Sequence, residues 1–281
     1  MENLIEVRDL RKTYPLFTLQ DLSFDLPAGV IMGCIGENGA GKSTTIKLIL
    51  GLVHRDGGTV RLLGHEPAAM SLPLKEEIGV VFEDCNIPEM FNARDVEKVM
   101  RAAYRNWQPE VYAAWLQRFE LPPKQSIKTY SRGMKVKLML AIALSHQARL
   151  LILDEATSGL DPVIRDELLE VFQEFIQDEG HSVFISSHIL SDLEKVCDWV
   201  LFIHKGRLEM LETRDGLREK YGLWQGSPAE LAQLPPQAVV GTQASPYAVS
   251  ALVRRELLPP GTVLEPVSME EIMLYVIRKG K

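Results

Sequence analysis

The sequence predicts an α/β fold built on a mostly parallel sheet, with an antiparallel β subdomain, a helical subdomain and a small α+β C-terminal appendage. Two observations predict it. An apolar run at residues 30–35 leads directly into a glycine-rich turn and then a helix-like segment, the order of a phosphate-binding strand, loop and helix. Farther on, apolar runs at residues 150–153, 182–186 and 199–203 alternate with helical segments. Such alternation implies right-handed crossovers and parallel strand pairing.

Residues 4–7 and 19–26 alternate apolar with polar side chains and read as antiparallel strands, after which Pro27, Ala28 and Gly29 turn into the buried run. Residues 59–64 and 78–82 read as further strands suited to a sheet core. Asn92 with Asp95 at the third helical position marks a helix start, and Val96, Val99, Met100 and Tyr104 follow at helical spacing. A second helical run over residues 109–119 carries Val111, Trp115 and Phe119 and ends before Pro122 and Pro123. Trp107, Trp115 and Phe119 are expected in a core. Ser131 is the natural N-cap of a long apolar helix.

Gly222, Gly226, Pro228, Pro235 and Pro236 make residues 221–237 read as a linker. Beyond it, residues 238–241 and 262–265 are strand-like, and Ser245 with Pro246 opens an expected helix to about Leu258. Ser268 and Glu271 form a capping box for a final helix. The expected organisation is residues 1–220 as one domain, with a helical subdomain at about 90–146, a linker at 221–237 and an appendage at 238–281.

With 281 residues, 46% apolar, and a net charge of -7, the chain has the composition of a globular protein whose main working surface is not a nucleic-acid groove. Its 3 cysteines, Cys34, Cys85 and Cys197, are far apart and fit neither a disulfide framework nor a metal site of CxxC spacing, as in a reducing compartment. Glu2 and Glu6 stand where a signal peptide needs basic residues. No apolar run approaches the ~20 residues needed to span a bilayer, so a membrane role is expected to need a separate subunit.

The turn itself runs Gly36, Glu37, Asn38, Gly39, Ala40, Gly41, Lys42, Ser43, Thr44. Its glycines let backbone N–H groups close on phosphates, Lys42 places a charge between the β and γ groups, and Ser43 can ligate Mg²⁺. The helix that follows adds the positive end of its dipole. This is the core of a P-loop NTPase, for ATP or GTP. Asp154 and Glu155 end a buried strand, where the first can hold the Mg²⁺ shell and the second can orient or deprotonate water. Ser131, with the N–H groups around Gly133, would make an anion site at a helix start.

These elements, in this order, resemble the ATP-binding cassette (ABC) family over residues 1 to about 215. Residues 36–44 look like its Walker A loop, 130–134 its signature motif, 150–155 its Walker B strand and 158–161 its D-loop, while His188 looks like its switch histidine. Tyr14 sits where the family stacks an aromatic ring on adenine, with Phe17 close enough to compete. The resemblance implies ATP and Mg²⁺ as ligands and a homodimer in which each ATP lies between one Walker A loop and the partner's signature motif. Lys42 and Ser43 would hold triphosphate and Mg²⁺, Glu155 would be the base and His188 would contact the γ-phosphate. Asp161 would communicate between the two sites. Closure on ATP would drive integral membrane permease subunits from the cytoplasmic face of the membrane.

Two positions depart from the family pattern. Glu83, followed by Asp84, stands where the family usually has Gln; a carboxylate there can ligate Mg²⁺ but adds negative charge near the triphosphate. In the signature, Arg132 replaces a glycine and Met134 replaces Gln, giving a Tyr-Ser-Arg-Gly-Met run that resembles bacterial exporters of antibiotics, peptides and related amphiphiles. The leading expectation is therefore an exporter ATPase. An importer ATPase, or a soluble ABC ATPase acting on ribosomes or DNA, is the alternative. The appendage is expected to touch the dimer partner or cap the sheet rather than sense a ligand.

Overall fold

The computed structural model describes residues 2–244 and 248–278. In chain order the strands and helices are β1 (Asn3–Tyr14), β2 (Phe17–Pro27), β3 (Ile31–Ile35), α1 (Lys42–Ile49), β4 (Gly57–Leu62), α2 (Leu72–Glu76) and β5 (Ile78–Val81). Then come α3 (Ala93–Ala103), α4 (Pro109–Arg118), α5 (Arg132–Ala143), β6 (Leu150–Asp154), α6 (Pro162–Phe175), β7 (Ser182–Ser187), α7 (Leu190–Val196) and β8 (Trp199–His204). The remainder is β9 (Arg207–Thr213), α8 (Arg214–Lys220), β10 (Tyr221–Gly226), α9 (Pro228–Leu231), β11 (Val239–Ala244), β12 (Val249–Arg254) and α10 (Met269–Arg278).

The central sheet has 6 strands in the order β5-β6-β7-β3-β8-β9, parallel except for β9. Its strands are apolar throughout because both faces are covered, and alternate residues supply the two layers. Met32, Cys34, Ile152, Phe184 and Leu201 face a core shared with α1 and the antiparallel strands. Ile31, Leu151, Leu153, Val183, Ile185 and Phe202 face the opposite core, formed with the helices and part of the C-terminal segment. Phe24 of β2 stacks on Phe184 at 5.7 Å between centroids, joining the two sheets.

The N-terminal strands form an antiparallel sheet in the order β2-β1-β4. This corrects the placement of residues 59–64 in the sheet core: Val60 and Leu62 are opposite Val7 and Ile5. Only β5, of the two strands expected there, enters the central sheet. Around the helical insert the expected caps are observed and one expected core residue is not fully buried. Asn92 and Asp95 make a reciprocal capping box at the start of α3, and Ser131 Oγ accepts the Met134 N–H at 3.2 Å at the start of α5. Trp107 and Phe119 are buried, whereas Trp115 is half-buried, with the Arg118 guanidinium 4.9 Å from its ring.

The C-terminal segment differs more. Residues 221–237 are not a linker: β10 pairs along its whole length with β12, and Leu223 and Trp224 are buried. Glycines at its ends and prolines after it punctuate a strand instead of loosening a connection. The helix expected from Ser245 to Leu258 is instead β12, the middle strand of a sheet ordered β10-β12-β11. Ser245 and Pro246 lie outside the described residues, and Val249, Ala251, Leu252 and Val253 are buried. A continuous apolar run reads alike as helix or two-sided strand, and tertiary pairing decides. Of residues 262–265 only Glu265 pairs, through a single bridge to Leu223. The capping box at Ser268 and Glu271 opens α10 as expected.

Candidate functional site

β3 delivers the chain to the glycine turn under tight steric control. A Cβ on Gly36 would lie 2.3 Å from the Ile203 carbonyl oxygen, and Gly41 has φ 118, a backbone conformation that favours glycine. Gly41 is the N-cap of α1 and no side chain caps its first turn, so the helix N–H groups there remain available to an anion. Lys42 folds back over the loop, donating to the carbonyls of Gly36 at 2.8 Å and Glu37 at 3.3 Å. Its ammonium also pairs with Glu155 Oε1 at 3.0 Å.

Two neighbouring strands bring the acids to the same place. Asp154, the last residue of β6, stands in register with Ser186 of β7. Ser43 Oγ donates to Asp154 Oδ1 at 2.9 Å, and Ser186 Oγ donates to the same oxygen at 2.7 Å. The Ser186 hydroxyl also accepts the Glu155 N–H at 3.0 Å. Glu155 leaves the strand with φ 51, a left-handed conformation that costs a non-glycine residue about 1–2 kcal/mol. The turn directs its carboxylate between Lys42 and His188, whose Nδ1 lies 2.7 Å from Glu155 Oε2. Both Glu155 oxygens are therefore engaged.

The cleft above this group has a volume of ≈ 410 Å³, with Asn38, Gly39 and residues 41–44 on its floor, Phe17 at one side and Glu83 and Glu155 at the other. Phe17 also packs on the loop: a Gly41 Cβ would be 2.9 Å from its ring. Tyr14 does not line the cleft; it is 38% exposed and its ring carries the Lys12 ammonium at 5.6 Å. The ring that reaches the cleft is thus Phe17, from the far side of the same hairpin. Glu83 does reach it, and is paired with Arg132 at 3.3 Å.

Ser131, Gly133 and Asp161 do not line the cleft of their own chain. Gly133 lies against Ile164, where a Cβ would be 2.7 Å from Cδ1, and Gly159 lies against the Arg132 guanidinium. Asp161 caps α6, its Oδ1 accepting the N–H groups of Val163 and Ile164 at 3.1 Å. The signature-like and D-loop-like segments therefore pack on each other, and only Arg132 reaches the edge of the cleft, through Glu83. Sequence reasoning assigned no role to Ser186; the signal available for it was a hydroxyl on the strand adjacent to Asp154, visible only once pairing is known. Cys34 lies beneath the loop, and burial pushes its thiol up to about 12.

The arrangement supplies a triphosphate cradle, a charge-compensating lysine, a hydroxyl and carboxylate suited to a hard cation, and a carboxylate beside an imidazole. The family model described as ABC transporter matches residues 19–158. A lantibiotic transport ATP-binding protein of Streptococcus pyogenes is 34% identical over 216 residues, 76% of this chain and 92% of that protein. A bacitracin transport ATP-binding protein of Bacillus licheniformis is 33% identical over 213 residues, 74% of this chain and 69% of its own length. Among solved structures, an ATP-binding subunit of an ABC transporter superposes with TM-score 0.70 at 30% identity, over 76% of this chain and 92% of that one.

Proposed function

We propose, because the chain belongs to the ABC transporter family and is an ATPase, that it powers a bacterial exporter of peptides, antibiotics or related amphiphiles through separate integral membrane subunits. The observation that carries the chemistry is Glu155 held between Lys42 and His188, next to the Ser43–Asp154 pair. The lantibiotic and bacitracin relatives support the export assignment and its substrate class. Its working place would be the cytoplasmic face of the membrane.

In this reading the triphosphate seats on the N–H groups of the loop at residues 38–44 and draws Lys42 away from Glu155. That exchange frees Glu155 Oε1 to accept a proton from water, while His188 keeps Oε2 oriented. Ser43, Asp154 and Glu83 are oxygen donors that fit Mg²⁺, which when bound would neutralise charge on the β and γ oxygens. Ser131 and Gly133 would face the phosphates of a second copy, which makes the working unit a head-to-tail homodimer. The helical insert and the Glu83 region would dock on the membrane subunits.

Copurification tests the assignment. Tagged chain extracted from its native cells in mild detergent should bring down an integral membrane protein in stoichiometric amount. Recovery with ribosomes or DNA and no membrane protein would overturn it. A companion transport assay in inverted vesicles gives direction: ATP-dependent uptake of peptide into the vesicles is expected, whereas ATP-dependent release would make it an importer.

A further inference from the structure

Next to the nucleotide cleft lies a trough of ≈ 340 Å³ whose walls are the loop at residues 35–38 and one face of α10. Glu270, Met273, Leu274 and Ile277 stand at i, i+3, i+4 and i+7, so they form a single stripe turned toward the loop. His188 and Leu190 close the end. The other side of α10 is already used, with Ile272 and Tyr275 buried against the appendage sheet and α7. Leu274 remains 44% exposed, and Glu270 pairs with no cation among the described residues.

A second surface has matching character. Val163, in the first turn of α6, is 77% exposed. It belongs to the same rigid surface as the signature-like segment, because Gly133 packs on Ile164 and Gly159 on Arg132. That surface also carries the half-exposed Arg132 guanidinium.

Resting on the head-to-tail pairing proposed above, we propose that the trough between α10 and the phosphate loop receives Val163 and the start of α6 from a second copy of the chain. The C-terminal appendage then becomes part of the ATP-dependent dimer interface. Continuity argues for this occupant: the trough shares Asn38 with the nucleotide cleft, and His188 joins them through Glu155. With Ser131 of a second copy over the cleft, Val163, which follows the D-loop-like segment on the surface that Gly133 and Ile164 join, would fall on this adjoining ground. The valine side chain fills apolar space that the monomer leaves open to water.

Mixed-chain cross-linking tests the contact in full-length protein carrying Glu155→Gln and Cys85→Ser, with MgATP; Cys34 and Cys197 are buried. One pool carries Val163→Cys and the other Leu274→Cys, so a hetero-disulfide on mild oxidation reports contact between copies. A parallel pair, Ser131→Cys with Asn38→Cys, reports head-to-tail pairing alone. Both pairs should cross-link only with ATP. Leu274→Asp, at an exposed position that tolerates polarity, should raise the concentration needed for dimerisation about tenfold and leave ATP binding by the monomer unchanged. If the Ser131/Asn38 pair forms but Val163/Leu274 does not, and Leu274→Asp dimerises like its parent, the α10 contact is refuted while head-to-tail pairing stands. If neither pair forms, the pairing itself fails and the proposal falls with it.

Discussion

Lys42 Nζ lies 3.0 Å from Glu155 Oε1, with the two side chains only 5% and 9% exposed. Removing one member of such a pair leaves a charge in a site that water scarcely reaches, which typically costs about 3 kcal/mol. In nucleotide-free protein, Lys42→Ala should therefore lower the free energy of unfolding by about that amount. Adding Glu155→Gln should recover part of the loss, with a coupling of about 1 kcal/mol or more in urea melts of the double-mutant cycle. Strict additivity would mean that the two groups do not interact in solution.

Ser186 is the hinge of the acid pair, donating to Asp154 and accepting from the Glu155 backbone. Ser186→Ala leaves the buried Glu155 N–H with only the longer bond to the Ser186 carbonyl, at 3.2 Å. We expect a loss of about 1–2 kcal/mol in stability and a turnover number reduced more than the apparent affinity for ATP. Unchanged turnover would show that Asp154 and Glu155 hold position without the hydroxyl.

For the aromatic contact, the structure separates two rings that the sequence left in competition. Phe17 lines the cleft and Tyr14 does not. Phe17→Ala should weaken ATP binding about tenfold, the scale of one lost base–aromatic stack, whereas Tyr14→Ala should leave it nearly unchanged. Fluorescent-nucleotide titrations of both variants give the comparison, and the reverse ranking would reassign the ring.

Cys34 supplies a pH signature. Burial holds its thiol neutral and raises it from the ordinary 9.0 to about 12. A group whose pKa is raised in the folded state contributes stability that is full below its unfolded value and is lost as pH rises toward the folded one. The stability difference between wild type and Cys34→Ala should thus shrink from about pH 9 to 12. Thiol reagents should label Cys85 in native protein and reach Cys34 and Cys197 only after unfolding. Native labelling of Cys34 would contradict its burial.

The phosphate loop was legible in the sequence because its chemistry dictates residue types at fixed spacing: glycines where Cβ atoms collide, then Lys42 and Ser43. Asp154 and Glu155 were legible for a related reason, as charges ending an apolar run. What escaped was set by pairing between distant segments. Ser186 acquires its role from lying beside Asp154 across two strands, and Phe17 reaches the cleft because of how the β1–β2 hairpin sits over Gly41. The same cause explains residues 221–258. Gly222 and Gly226 looked like linker punctuation, and Val249–Arg254 looked helical, until β10, β11 and β12 supplied partners for their backbones.

In the proposed mechanism Glu155 is the base, and ATP joins two copies through the cleft and the Ser131 surface. Sedimentation of the full-length Glu155→Gln variant with MgATP, alongside its ATP turnover, reads both roles at once. The variant should form a stable dimer only with ATP and turn over at least about a hundredfold more slowly than wild type. A variant that binds ATP yet stays monomeric, or one that hydrolyses ATP at the wild-type rate, would contradict the mechanism.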